Sequence, residues 1–158
     1  MSRLRAIERC EVNKHMAKRI RVRVGGVTAE GQLLEDEAPR TVAALWSRLP
    51  IQDRTIQVRW SGDAWRTENN YELLPPESPV ENVAGRLQAG DIIYYPGYPS
   101  KLIKVGIAYG KAQWLAPFMV PIDVALIGKL DTGLDAFVER CQRLIFDGPM
   151  DVELTRID

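Results

Sequence analysis

Residues able to carry out chemistry are few in this chain and widely separated. One histidine, His15, and two cysteines, Cys10 and Cys141, are the whole supply of imidazole and thiol in 158 residues. A structural zinc takes three or four such ligands at close spacing, so no metal is expected. Glu35-Asp36-Glu37 is acidic but stands just before Pro39, where a solvated turn at a helix N-terminus is the simpler reading. The same scarcity argues against a hydrolase triad: a Ser or Cys nucleophile usually needs a nearby base, most often His, and His15 lies in a basic arm. Phosphate-cradling glycines precede a helix, whereas Gly25-Gly26 stands between two alternating apolar runs. Nucleotide enzymes are therefore disfavoured, and no cofactor is expected.

What remains is a concentration of aromatic and polar residues in three stretches. Arg59 to Tyr71, Tyr94 to Tyr98 and Trp114 to Pro121 together hold seven of the nine Trp and Tyr residues. Trp65 and Arg66 follow a Gly-Asp pair and read as loop residues, which favours a solvent-facing role. Trp60 continues the Ile56, Val58 face and reads as core. Tyr109 ends an alternating face and suits barrel filling as well as a site. Asp63 and Glu68 could accept protons, although lone carboxylates are usually just solvated.

The elements that must position these residues are mostly short strands. Ile20, Val22, Val24 and then Val27, Ala29, Leu33 alternate around Gly25-Gly26, which predicts a hairpin. Val42, Leu45, Trp46 and Leu49 recur at helical spacing between Pro39 and Pro50, predicting a helix over 39–49. Ile56 to Trp60 reads as a third strand broken by Ser61-Gly62-Asp63. Tyr71 to Leu74 reads as extended, Val80 to Ala84 as one helical turn, and Ile92 to Tyr95 and Ile103 to Tyr109 as strands. Val124 to Ile127 is continuously apolar, as in a strand buried on both faces. Thr132, Asp135 and the run Leu134, Phe137, Val138, Cys141, Ile145 predict a second helix over 132–146, stopped by Gly148-Pro149. Val152 and Leu154 close the chain. About eight strands and two helices without βαβ alternation make a mainly β fold, a mostly antiparallel barrel capped by helices, because closure removes exposed edges.

The order of these motifs resembles the cyclophilins, and more closely a family of small bacterial and archaeal cyclophilin-like proteins of unknown function. The residues that carry the likeness are Glu37 to Val42, Trp60-Ser61-Gly62-Asp63, Gly90 to Gly97, Tyr109-Gly110, and Val124 to Leu130 leading into Thr132-Gly133-Leu134. The resemblance covers about residues 19 to 157 and implies a closed eight-stranded barrel with a helix over each end. It also implies that the three aromatic stretches converge on one face. The isomerase motif does not carry over: Gln57-Val58-Arg59-Trp60 replaces the Phe-His-Arg strand, and Phe118, Met119 and Val124 stand where a Trp and a His are found. Arg59 alone imitates the isomerase arginine. The expected function is thus binding of a small acidic molecule or short peptide in a groove formed by Arg59, Trp65, Arg66, Tyr71, Tyr95 and Phe118, with prolyl isomerase activity as the enzymatic alternative.

Charge adds one further reading. Lys plus Arg equals Asp plus Glu at 21 each, yet residues 1–23 carry +6 and the remainder −6. Residues 1–18 read as a basic extension and 19–158 as the barrel domain, with Met16 offering an internal start. Docking of an acidic partner on this arm is a third functional class. Nucleic acid is disfavoured, since Arg19, Arg21 and Arg23 alternate with Ile20, Val22 and Val24 as a solvated strand face and no aromatic platform accompanies them. No apolar run spans a bilayer and no secretory stretch opens the chain, so a cytoplasmic protein with free cysteines is expected and no membrane partner. A homo-oligomer is left open.

Overall fold

In the computed structural model the described residues are 17–96, 103–116 and 119–158. The basic arm before Ala17, with Cys10, His15 and Met16, and the candidate residue Phe118 lie outside them. Strand β1 (Arg19–Val24) turns through Gly25-Gly26 into β2 (Val27–Leu33). Both glycines have positive φ, 54° and 87°, the geometry a two-residue hairpin turn needs and other residues adopt at a cost. Helix α1 (Pro39–Arg48) follows, then β3 (Ile51–Gln57), β4 (Gly62–Thr67), the short β5 (Val83–Ala84), β6 (Asp91–Pro96) and β7 (Ile103–Ala112). A small β8–β9 ribbon (Leu115–Ala116 and Val120–Pro121) leads to β10 (Val124–Thr132), α2 (Leu134–Gln142), the one-turn α3 (Leu144–Asp147) and β11 (Asp151–Ile157).

Eight strands close into an antiparallel barrel in the order β2, β1, β11, β3, β4, β7, β6, β10, with β10 pairing back to β2. The seam depends on Gly31: a Cβ there would stand 2.2 Å from the Lys129 carbonyl oxygen of β10, so any side chain would push the closing strands apart. Inside, Ile20, Val22, Val24, Leu33, Ile51, Ile92, Ile107, Ile127 and Leu154 form one core. Val42 and Leu45 of α1 and Phe137 and Cys141 of α2 belong to the same core. Each fully buried aliphatic or aromatic side chain contributes about 1.5–3 kcal/mol relative to exposure, which is why both helices stay docked. The N-terminus of α1 has no side-chain cap of its own; Glu81, forty residues away, accepts from the Thr41 N–H at 2.7 Å, the Thr41 hydroxyl at 2.8 Å and the Arg40 N–H at 3.3 Å. No described helix is long and apolar enough to cross a membrane.

The mainly β barrel and two principal helices agree with the sequence reading, but several local expectations do not. The third strand is Ile51–Gln57 and ends before Trp60, which sits on a single 3₁₀ turn (Arg59–Ser61) and is 50% exposed rather than core. Residues 62–67, read as a loop, form β4. Tyr71 to Leu74 joins no strand ladder but holds to β7 through the Tyr71 N–H, which donates to the Ile103 carbonyl oxygen at 2.8 Å, whereas Val80 to Ala84 ends in β5 instead of a helical turn. Helix α2 begins after Gly133, in the left-handed region at φ 73°, because Thr132 still belongs to β10.

Candidate functional site

Period-two alternation gives β4, β6 and β7 two different faces. Trp65, Val105, Ile107, Ile92 and Tyr94 turn into the barrel. Ala64, Ala108, Ile93 and Tyr95 turn outward, yet they are buried too, in a second apolar cluster with Val58, Leu87, Ala112, Trp114 and Val124. The cover comes from the chain after β7, whose Trp114 lies across Gly106: a Cβ on Gly106 would meet the Trp114 ring at 2.6 Å. The outside of this barrel wall therefore carries a core of its own.

Two cations stand along this wall. Register pairs Arg66 with Gly106 across β4–β7 and Lys104 with Tyr95 across β7–β6. Lys104 lies two residues from Gly106 on the same strand face, so Arg66 stands diagonally from the Lys104–Tyr95 pair on one face of three neighbouring strands. Lys104 is only 3% exposed, its ammonium donates to the Glu68 carbonyl oxygen, and Arg66 is half-buried and donates to the Thr67 carbonyl oxygen at 3.0 Å. Among the described residues neither forms an ion pair with a carboxylate. Burial pulls both pKa values below their ordinary range, against an opposing effect of Glu68 on Arg66; for Lys104 the neighbouring Arg66 adds to the lowering, while Asp53 and Glu68 oppose it. The carboxylates act on these cations without pairing directly with them, and a cation drawn out of water without a direct partner costs free energy that a bound anion would recover.

The five candidate residues among the described ones are divided by the fold. Arg66 and Tyr95 share the outer wall. Trp65, on the same strand as Arg66, is 0% exposed and points the other way, into the barrel, so its placement on a solvent-facing loop is corrected. Tyr71 is buried towards the α1 end, with the Arg48 guanidinium 5.2 Å from its ring centre. Its hydroxyl donates a short hydrogen bond to Asp53. Arg59 is exposed on the 3₁₀ turn, nearer Tyr109 than the cationic row. Lys104 was not among the candidates; its signal was a lone lysine in Ile103-Lys104-Val105-Gly106-Ile107-Ala108, where only glycine and alanine follow on its own face.

A second polar group lies inside the barrel. Gln57 Nε2 donates to the Tyr109 hydroxyl at 2.6 Å, while Gln57 Oε1 and the Trp65 indole N–H have no hydrogen-bond partner among the described residues. The Trp65 indole acts on the Cys141 thiol, although the two do not meet the geometry of a regular hydrogen bond. Burial pushes that thiol up to about 12, against smaller opposing effects of Trp65 and Arg140. Such a thiol is not a nucleophile at neutral pH. Among the described residues no group of three His, Cys, Asp or Glu is arranged to hold a metal. On the basic face of β1, Arg19 and Arg21 are paired with Asp131 at 2.7 Å and Glu30 at 3.2 Å.

Residues 20–156 match the model of DUF3830, a family described as proteins of unknown function. The chain belongs to the DUF3830 family. Among solved structures, this DUF3830 barrel is similar to the hypothetical protein AF2241 from Archaeoglobus fulgidus, with 21% identity and a TM-score of 0.54 over 89% of this chain and 95% of that one. It is also similar to McbB, solved in complex with tryptophan, with 15% identity and a TM-score of 0.63 over 86% of this chain. The match spans 44% of the McbB chain. At these identities the likeness is one of fold. No curated protein matches the sequence.

Proposed function

We propose that this DUF3830 barrel binds a small carboxylate-bearing molecule on its outer wall, with Arg66 and Lys104 as the anion anchors and Tyr95 beside them. The observation that carries the reading is a pair of neighbouring cations, Lys104 covered and Arg66 half-buried, that among the described residues hydrogen-bond to backbone carbonyls and to no carboxylate. A carboxylate placed on Arg66 would make charge-assisted hydrogen bonds, roughly twice as strong as neutral ones, and would also relieve the mutual repulsion with Lys104. The second apolar cluster, with Trp114 and Tyr95, offers a wall for the rest of such a molecule. The likeness to cyclophilins rests on motif order and on the closed barrel. It adds no residue to this site.

Thermal-shift screening of the full chain tests the reading, with amino acids, simple carboxylates and short acidic peptides as the panel. Tryptophan heads the panel because McbB was solved with it bound. Stabilisation by carboxylates that disappears in Arg66→Gln and is reduced in Lys104→Arg is the expected outcome. Binding unchanged in both variants would remove the proposed anchors.

A further inference from the structure

Resting on that carboxylate-binding reading, we infer that Lys104 is an imine-forming amine that condenses with a small oxo acid whose carboxylate is held by Arg66. Three features of its surroundings point there. The side chain is 97% covered, yet among the described residues its ammonium has a single neutral partner, the Glu68 carbonyl oxygen. An amine kept for structure at such a place is normally locked by a carboxylate, and none pairs with it among the described residues. Arg66 stands one strand away on the same face, where a carboxylate one or two bonds from a carbonyl carbon would bring that carbon towards the amine. Covered lysines beside another cation are the ones that hold a neutral, nucleophilic amine near neutral pH.

The step balances without any co-reactant. The Lys104 Nζ lone pair forms a C–N bond to the carbonyl carbon while the C=O π pair moves to oxygen. One amine proton passes to that oxygen to give a carbinolamine, and the second amine proton is transferred to the hydroxyl, which leaves as water as C=N forms. Amine plus oxo acid give imine plus water, with no oxidation or reduction. The Glu68 carbonyl accepts from the ammonium beforehand and fixes the amine on the Arg66 side.

Reductive trapping tests it on the full native chain: glyoxylate or pyruvate with cyanoborohydride at neutral pH, followed by peptide mapping of the six lysines, Lys14, Lys18, Lys101, Lys104, Lys111 and Lys129. Labelling of Lys104 is expected about tenfold faster than at any other lysine, since a covered amine beside a second cation carries a larger neutral fraction. Excess acetate should suppress it, and Arg66→Gln should remove the preference for oxo acids over uncharged acetaldehyde. Labelling spread evenly over the lysines, or absent from Lys104 until the protein is unfolded, would overturn the inference. If non-carbonyl carboxylates stabilise the protein while Lys104 stays unlabelled, the imine fails and the binding reading stands; if neither occurs, both fail.

Discussion

Removing the Asp53 carboxylate should unclip the segment that follows β4. Asp53 Oδ1 accepts from the Arg54 N–H at 2.7 Å, the Glu68 N–H at 3.1 Å and, more weakly, the Asn69 N–H at 3.4 Å, while Oδ2 accepts from the Tyr71 hydroxyl. Hydrogen bonds to a charged group are worth about 1.5–3 kcal/mol each, and a buried donor left unpaired costs about 1–3 kcal/mol. Asp53 is only half-buried, so water reaches part of the gap in Asp53→Ala, and the expected loss is about 3 kcal/mol. For a chain of 158 residues that corresponds to a Tm lower by roughly 6–12 °C. Tyr71→Phe alone should cost less, and the double variant should fall short of additivity by about 1–2 kcal/mol. Burial opposes ionisation of Asp53, yet the hydrogen bonds from Tyr71, Arg54 and Asn69 outweigh it and hold the carboxyl below its ordinary range. Its contribution is therefore complete above the unfolded carboxylate pKa and is lost as pH falls through the lower folded value. Thermal melts and urea denaturation of the four proteins between pH 7 and pH 3 measure both effects. A Tm change under about 2 °C in Asp53→Ala, strict additivity with Tyr71→Phe, or a variant whose acid profile matches the wild type would refute the reasoning.

Gly106→Val should expel Trp114 from the outer wall, since the ring sits where the new side chain must go and the Trp65 carbonyl, 2.9 Å from the Cβ position, blocks the alternative. A red shift of tryptophan emission and a loss of about 1–3 kcal/mol are expected; an unshifted spectrum would mean the wall is not covered as described. In a proline-peptide assay the wild type should show little or no turnover, because Arg59 lies exposed on its turn without the flanking motif residues. Robust activity abolished by Arg59→Ala would restore that residue as a catalytic candidate.

Strand alternation made much of the barrel legible, and the places where it failed share a physical cause. Ile20, Val22 and Val24 are buried and Arg21 and Arg23 exposed as their spacing predicts, because only one face of β1 meets a core. Strand β4 was hidden by Gly62-Asp63, a pair that usually marks a turn but here enters the sheet against Ala112. Trp60 was misplaced because the chain leaves the strand at Val58, with φ −112° and ψ 59°, before the alternation of side chains ends. The site suffered most from the second core. When both faces of a strand are covered, polarity no longer says which side faces solvent. The sequence pattern thus predicts an exposed Trp65 and does not single out Lys104, an outward residue under a cover.

Strands β1 and β11 lie side by side and antiparallel, with Arg19 opposite Ile157. Whatever is spliced on ahead of one strand and behind the other leaves the barrel at a single doorway, so the unit can be set into a surface loop of a host protein as one stalked bead. A linker of two to five residues joining Ile157 back to Arg19 would itself be a β-hairpin. With new ends cut at the Gly25-Gly26 turn, the β1–β11 pairing would become the most local in the chain and the β1–β2 hairpin the most distant, so the permuted barrel should assemble at a rate close to the parent's.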